Sequence, residues 1–265
     1  MANNLIHLAL TEDIGTGDVT SNACVPADRR ATGVFLAREQ LVLAGTEVLA
    51  EIYDDLELNH CDGDALAANT VIATVQGTAR DFLKYERTAL NFLQRLSGVA
   101  TLARQFAEAV AHTNCQILDT RKTTPGFRQL EKSAAACGGV TNHRMGLYDA
   151  ILIKNNHISA AGGVTEAITA ARTSAMPIEI EVRTESELDE ALAANADHLL
   201  LDNLTPEEAK QWIAKINKRA KVELSGGITL DTVAAYAETG ADFVSVGAIT
   251  HSARAVDISF KLDLA

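Results

Sequence analysis

The sequence predicts an α/β protein in two parts: a small, mostly antiparallel sheet near the N-terminus, then an open, incomplete α/β barrel of about six parallel strands. Three observations predict it. Residues 31–80 alternate short β-rich runs with turns, residues 82–110 switch to a helical period, and from 115 onward short apolar runs alternate with amphipathic ones.

In order, residues 3–10 read as a short helix and TEDIGTGDVTS (11–21) as a loop dense in turn formers. The runs ATGVFLARE, LVLAGTEVL, LELNHCDGD and TVIATVQGT carry Val, Thr and Ile at strand spacing, with a helix inside LAGTEVLAEIYDD. Next, Ala89, Phe92, Leu93, Leu96, Val99, Ala100, Ala103, Phe106, Ala107 and Val110 recur at three and four, as on one helix face. Gly98 interrupts that face, as a break or a close packing point. The strands QILDTR, AILIKN, IEIEV, HLLLDN, KVELSG and DFVSVG follow, as continuous apolar runs buried on both faces. Between them lie the helices VTEAITAAR, ESELDEALAAN, PEEAKQWIAKIN and TLDTVAAYAETG. Residues 1–112 are thus expected to form the N-terminal domain with its long linking helix. Residues 113–265 form the barrel carrying the active site, with the C-terminal tail able to return to the first domain.

The chain is acidic, with 23 Lys+Arg against 35 Asp+Glu and a net charge of -12. That argues against a nucleic-acid surface. No apolar stretch reaches membrane-spanning length, and the N-terminus lacks a basic, signal-like start. Cys24, Cys61, Cys115 and Cys137 are widely spaced, with no C-x-x-C, and are expected to be reduced, buried thiols of a cytoplasmic protein.

Against this background residues 119–157 stand out. They hold Arg121, Lys122, Arg128, Lys132, Arg144 and Lys154, with His143 and His157, against Asp119, Glu131 and Asp149. A cationic pocket in an anionic protein points to a small polyanionic ligand. Nearly every expected barrel strand ends in ionisable or glycine residues, and the third carries Glu179 and Glu181, as in barrels that build the active site at the C-terminal strand ends. Ser225, Gly226 and Gly227 in SGGIT, and Gly247 in VGAIT ahead of His251, suit phosphate at glycine turns followed by helix N-termini, or simply tight turns. Glu181 and Asp202, on adjacent strands, suit Mg²⁺ shared with substrate phosphates, or ion pairs with nearby cations. Arg87 sits near the expected start of the long helix, where a cation opposes the helix dipole. It either pairs with Glu86 or reaches an anion. Asp13 and Asp18 read as turn and cap residues. His7, His60, His112 and His198 show no supporting partners and are set aside.

The motifs DTRKTTPGFRQLEKSA, GGVTNHRMGLYDAILIKNNH, LLLDN, SGGI and VGAITHS, with the earlier EDIGTGDVTS and ERTALNFLQRLSG, resemble the quinolinate phosphoribosyltransferase family over nearly the whole chain. The resemblance implies an N-terminal α/β sandwich, the open barrel, and a homodimer with a shared active site. It implies Mg²⁺ and a reaction in which quinolinate and phosphoribosyl pyrophosphate give nicotinate mononucleotide, pyrophosphate and CO₂. Carried over by position, it assigns quinolinate to Arg121, His143, Arg144 and Lys154, with Arg87 arriving from the neighbouring subunit. Lys122, Glu181 and Asp202 fall around phosphoribosyl pyrophosphate and Mg²⁺, and Ser225, Gly226, Gly227, Gly247 and His251 at the phosphate end. Asn155 departs from the usual Lys-Asp-Asn-His pattern and removes a carboxylate beside Lys154. The GGVT run is shorter than the frequent triple glycine, which implies a stiffer loop over the pocket. The competing readings are a related enzyme with another acceptor, a Schiff-base lyase using Lys154, and a non-catalytic phosphate-binding module.

Overall fold

A computed structural model describes residues 2–174 and 176–264. The first elements are α1 (Ala2–Ile14), α2 (Val19–Cys24), β1 (Arg30–Ala37), β2 (Leu41–Val42), α3 (Thr46–Ile52), β3 (Leu56–Leu58), β4 (Ala65–Leu66), β5 (Val71–Thr78) and α4 (Ala79–Ala109). Then come β6 (Gln116–Leu118), α5 (Arg128–Cys137), β7 (Ile151–Ile153), α6 (Asn155–Ala161), α7 (Val164–Ala171), β8 (Ile178–Val182) and α8 (Glu185–Ala193). The chain ends with β9 (His198–Asp202), α9 (Pro206–Ile216), β10 (Lys221–Ser225), α10 (Val233–Ala237), β11 (Phe243–Ser245), α11 (Ala248–His251) and β12 (Ile258–Leu264).

Two compact units interleave in sequence. One comprises 1–104, 123–139 and 249–265, the other 105–122 and 140–248. The sequence predicts a boundary after 112, with the C-terminal tail able to return to the first domain.

The first unit holds a four-stranded sheet in the order β12-β1-β5-β3, antiparallel throughout, and the two-stranded pair β2-β4. Strand β12 pairs along β1 from Ala31↔Leu264 to Ala37↔Ile258. Its residues Ile258, Phe260 and Leu262 alternate with polar ones, and Phe35, Leu41, Leu43, Leu49 and Ile72 fill the core with them. Each fully buried Leu or Ile contributes about 1.5–3 kcal/mol by leaving water. Phe35 and Phe260 meet edge to face with ring centroids 4.9 Å apart. Part of TEDIGTGDVTS, expected as loop, is helical: α1 continues to Ile14, and Asp18 caps α2 by accepting from the Thr20 and Ser21 amides. Those capping bonds satisfy donors a helix start leaves open.

Helix α4 has 31 residues. Gly98 is a close packing point and breaks nothing: a Cβ there would lie 1.9 Å from the Arg254 carbonyl oxygen. The glycine pair before VTNHR also has a packing role. Gly138 ends α5, and a Cβ on it would lie 2.4 Å from Ala100 O, so it is a helix C-cap pressed on α4 and not part of a pocket loop.

The second unit is a six-stranded, wholly parallel sheet in the order β6-β11-β10-β9-β8-β7. Chain order is kept from β7 to β11, and β6 joins β11, so the open edge lies between β6 and β7. This is the incomplete barrel expected from the sequence. Ile180, Val182, Leu199, Leu201, Val222, Leu224 and Val244 are buried, as in strands covered by helices. The opposite face carries Glu179, Glu181, Glu223 and Ser245, also buried.

Among the described residues no helix is long and apolar enough to cross a membrane. All four thiols are free, but only Cys115 is buried; Cys24 and Cys61 are exposed, contrary to the expectation of buried cysteines. Cys24 ends α2, and Cys61 lies in the loop between β3 and β4.

Candidate active site

Strand alternation builds the site. Side chains two apart share a face, so β8 presents Glu179 and Glu181, β9 presents His198, Leu200 and Asp202, and β10 presents Lys221, Glu223 and Ser225. Parallel register puts Ser225 beside Asp202 and both Glu181 and Glu223 beside Leu200.

At the end of β6, Asp119 is fully buried. Its Oδ1 accepts the His143 amide at 2.8 Å, and its Oδ2 accepts the Asn142 side-chain amide at 2.7 Å. One carboxylate therefore fixes the corner that presents His143 and Arg144. The Arg144 guanidinium donates Nη1–H to the Ala150 carbonyl at 2.9 Å. Its pKa is lowered, first by burial and then by the neighbouring Arg121 guanidinium, with Glu179 and Asp149 opposing. Two guanidiniums close enough to disfavour each other form a ready site for an anion with two carboxylates.

His143 Nε2 lies 3.1 Å from Glu179 Oε2 and 3.5 Å from Glu223 Oε2. Burial opposes charge on this imidazole, but the two carboxylates outweigh it and push its pKa up to about 9. The Arg144 amide donates to Nδ1 at 2.7 Å, which requires a lone pair there. The two observations pull apart at Nδ1, since a pKa of about 9 puts a second proton there at neutral pH and displaces that amide bond, but both keep a proton on Nε2, between the carboxylates. The ligand atoms of His143, Glu179 and Glu223 lie within 4.8 Å of one another, as in metal centres. A metal-bound imidazole donates from its other nitrogen, whereas this one accepts, so the cluster is an ion and hydrogen-bond network. His198, set aside on sequence, belongs to it: Nε2 is 3.6 Å from Glu179 Oε1 and 4.0 Å from Glu223 Oε2. Its position two before Leu200 and four before Asp202 on β9 was the available signal.

Lys154 precedes α6, with its amide donating to His157 Nδ1 at 2.9 Å. Its Nζ lies 3.7 Å from Glu181 Oε2, and half of the side chain is exposed. Glu181 is also held by Arg183, whose Nε donates to Oε1 at 2.7 Å and whose Nη2 lies 4.0 Å from Asp202 Oδ2. Arg183 directly follows the strand IEIEV, outside the strand-end pattern that marks the other site residues. Asp202 Oδ2 also accepts the Asn203 side-chain amide at 2.7 Å. Lys122 is exposed, and its amide donates to Thr120 Oγ1 at 3.1 Å.

Gly226 has φ +111°, and a Cβ on it would lie 2.3 Å from Asn203 Oδ1; Gly227 has φ +61° with open space beside it. Both need glycine backbone, as a tight turn does. The helix-dipole part of the phosphate argument fails here, since the next helix, α10, starts only at Val233 and spans five residues. Gly247 directly precedes the four-residue α11. Arg121, Lys122, His143, Arg144, Lys154, Glu181, Asp202, Ser225, Gly226, Gly227 and Gly247 all belong to the second unit. Arg87 and His251 belong to the first unit. His251 is exposed, with Nδ1 2.6 Å from Ser252 Oγ. Arg87 is exposed on α4, which begins at Ala79, so it lies beyond the first turn and opposes no helix dipole.

Two family descriptions match the chain. Quinolinate phosphoribosyl transferase, N-terminal domain, covers residues 18–97, and the C-terminal domain of the same family covers 99–261. The chain is 40% identical over 269 residues to a Bacillus subtilis protein described as a probable nicotinate-nucleotide pyrophosphorylase (carboxylating), covering 98% of this chain and 93% of that one. A Mycobacterium leprae protein described as nicotinate-nucleotide pyrophosphorylase (carboxylating) is 40% identical over 275 residues, covering 98% and 97%. The solved nicotinate-nucleotide pyrophosphorylase of Francisella tularensis superposes with a TM-score of 0.95 at 38% identity, covering 98% of this chain and 95% of that one.

Proposed function

The chain belongs to the quinolinate phosphoribosyltransferase family, and from that premise we propose that its site joins quinolinate to phosphoribosyl pyrophosphate with Mg²⁺ in a shared-site homodimer. The activity is that of a carboxylating nicotinate-nucleotide pyrophosphorylase, a pentosyltransferase of NAD biosynthesis. The observation that carries this reading is the match of both family domains, over residues 18–97 and 99–261.

The residues support the chemistry. Quinolinate is a planar dianion, and Arg121 with Arg144 offers two planar guanidiniums suited to bidentate pairing. Lys154 adds a third cation. Besides its assignment to quinolinate, His143 holds the corner, with a proton-bearing Nε2 facing the carboxylates below. Ribosylation passes through an oxocarbenium-like transition state as pyrophosphate leaves, and preorganised cations such as Lys122 favour that separation of charge. Loss of the 2-carboxylate then leaves a carbanion beside a ring nitrogen made cationic by ribosylation, which stabilises it. Ser225, Gly226, Gly227, Gly247 and His251 are assigned to the phosphate end, and Arg87 to the quinolinate of the neighbouring subunit.

Glu181 and Asp202 fit Mg²⁺ as hard oxygen donors, two carboxylates being the usual protein share when substrate phosphates complete the sphere. Asp202 remains partly exposed, at 20% of its side chain, which leaves it open to such a shared ion. Bound there, Mg²⁺ supplies positive charge to the departing pyrophosphate. The Schiff-base reading is disfavoured because Lys154 is half exposed against a carboxylate, whereas that chemistry uses a lysine desolvated or set beside another cation.

The test is product analysis. Purified protein with quinolinate, phosphoribosyl pyrophosphate and Mg²⁺ releases pyrophosphate and CO₂ in equal amounts. Turnover with nicotinate and none with quinolinate overturns the assignment.

A further inference from the structure

We propose that Arg95 and Glu131 are positioning residues for the phosphoribosyl end of the site, a role resting on the function proposed above. Glu131, on α5, is fully buried. Both of its oxygens are used. Oε1 accepts Arg95 Nη2–H at 2.6 Å, Arg95 Nε–H at 3.2 Å and the Thr124 hydroxyl at 2.9 Å. Oε2 accepts the Thr124 amide at 2.9 Å. From α4, the Arg95 guanidinium also donates to the carbonyl oxygens of Thr250 and Ala253.

One buried ion pair thus grips two backbone segments far apart in sequence. Thr124 lies two residues after Lys122 in TRKTTPG, and Thr250 directly precedes His251 in VGAITHS. Lys122 and His251 are the residues assigned to phosphoribosyl pyrophosphate that lie next to the two gripped segments, at Thr124 and Thr250. Two further contacts reinforce the first grip: Arg128 Nε–H donates to Thr123 Oγ1 at 3.0 Å, and Phe127 stacks on Phe92 at 5.3 Å. Only a guanidinium serves at position 95. Its fixed fork reaches a carboxylate and two carbonyls at once, whereas a lysine ammonium is a single point on a flexible stem. Only a carboxylate serves at 131, because an amide turns a donor toward either Arg95 or the Thr124 N–H.

The experiment measures KM for each substrate and kcat for Arg95→Lys, Glu131→Gln and Thr124→Val, with thermal melting alongside. A positioning role raises the KM for phosphoribosyl pyrophosphate about tenfold in Arg95→Lys and Glu131→Gln, while the quinolinate KM moves less than about threefold. Thr124→Val removes only the part-buried hydroxyl bond to Glu131 and keeps the Arg95–Glu131 pair and the Thr124 amide bond, so it folds and shows the same selectivity, at roughly threefold. A fall in kcat with both KM values unchanged, or an equal rise in both, assigns the pair to stability alone and overturns the proposal. If Arg95→Lys and Glu131→Gln fail to fold, the Thr124→Val split decides alone. Failure of the functional reading looks different: the unmodified protein shows no turnover with this substrate pair.

Discussion

Asp119→Asn is the most direct probe of how the quinolinate corner is held. The carboxylate is fully buried and receives the His143 amide on one oxygen and the Asn142 side-chain amide on the other. The variant keeps shape and volume. Its amide group has a single oxygen, so whichever bond it preserves, an NH₂ group faces the second donor at under 3 Å. A hydrogen bond to a charged group is worth about 1.5–3 kcal/mol, and the orphaned buried donor adds to that. A net loss of roughly 2–3 kcal/mol follows, which at about 2–4 °C per kcal/mol lowers the melting midpoint by roughly 4–12 °C. Arg144 follows His143 directly, so the quinolinate KM rises while the phosphoribosyl pyrophosphate KM stays near its original value. Calorimetry and initial rates with each substrate varied read both effects. A melting midpoint within about 1 °C of the parent, with an unchanged quinolinate KM, refutes the reasoning, since it means the corner is held without Asp119.

Two further outcomes are expected. Mixing Arg87→Ala with Lys154→Ala protein under subunit exchange restores activity absent from either alone, because one hybrid site regains both cations; exchange shown by mass labelling without recovered turnover counts against the shared site. Glu39, bonded to Arg254 and to the Asp257 amide, has its pKa lowered to about 2. A depressed carboxyl pKa gives stability that is complete above the unfolded value and is lost as pH falls through the folded one. With Arg254 mostly exposed the pair is worth only about 0.5–1 kcal/mol, so Arg254→Ala is less stable by that amount at neutral pH, and the gap closes toward pH 2. A gap that persists undiminished at pH 2 contradicts the pairing.

The barrel was legible because its strands are short apolar runs bounded by turn residues, and all six appear where the sequence puts them. Reading those runs as uniformly apolar hid their second message. In IEIEV and KVELS every other residue is acidic or polar, which is one face of a strand turned toward a polar interior. That alternation places Glu179 and Glu223 under the site, and the same count of two adds His198 to Asp202. The α5 segment RQLEKSAAAC was read for its charges and not its period, yet Leu130, Ala134 and Ala135 form a buried stripe, and Glu131 and Lys132 are buried with it. A buried acid is visible in sequence only through its partner, and Arg95 lies 36 residues away. Composition and local spacing carry no information about such a pair. The C-terminal tail was expected only as able to return to the first domain; its strand and its register on β1 are long-range choices that local propensity does not make.

The acidic residues also change how the cationic stretch works. Arg144, Lys154 and Arg183 carry charges that repel one another in the absence of substrate, and Arg144 already feels Arg121 as a neighbour. Glu181 binds Lys154 and Arg183 together, and the buried Glu179 and Glu223 hold the Nε2 proton of His143. The cations are therefore held in place by carboxylates on the barrel strands before any anion arrives, which reduces the ordering cost of binding. The same compensation makes affinity depend on geometry more than on charge. A ligand gains only by reaching guanidinium faces that the internal carboxylates leave open, which favours a planar dicarboxylate over a simple polyanion. It also gives Arg183 a defined place in the metal question. While it spans Glu181 and Asp202 it balances their charge, the role that a Mg²⁺ held by these two carboxylates would take over.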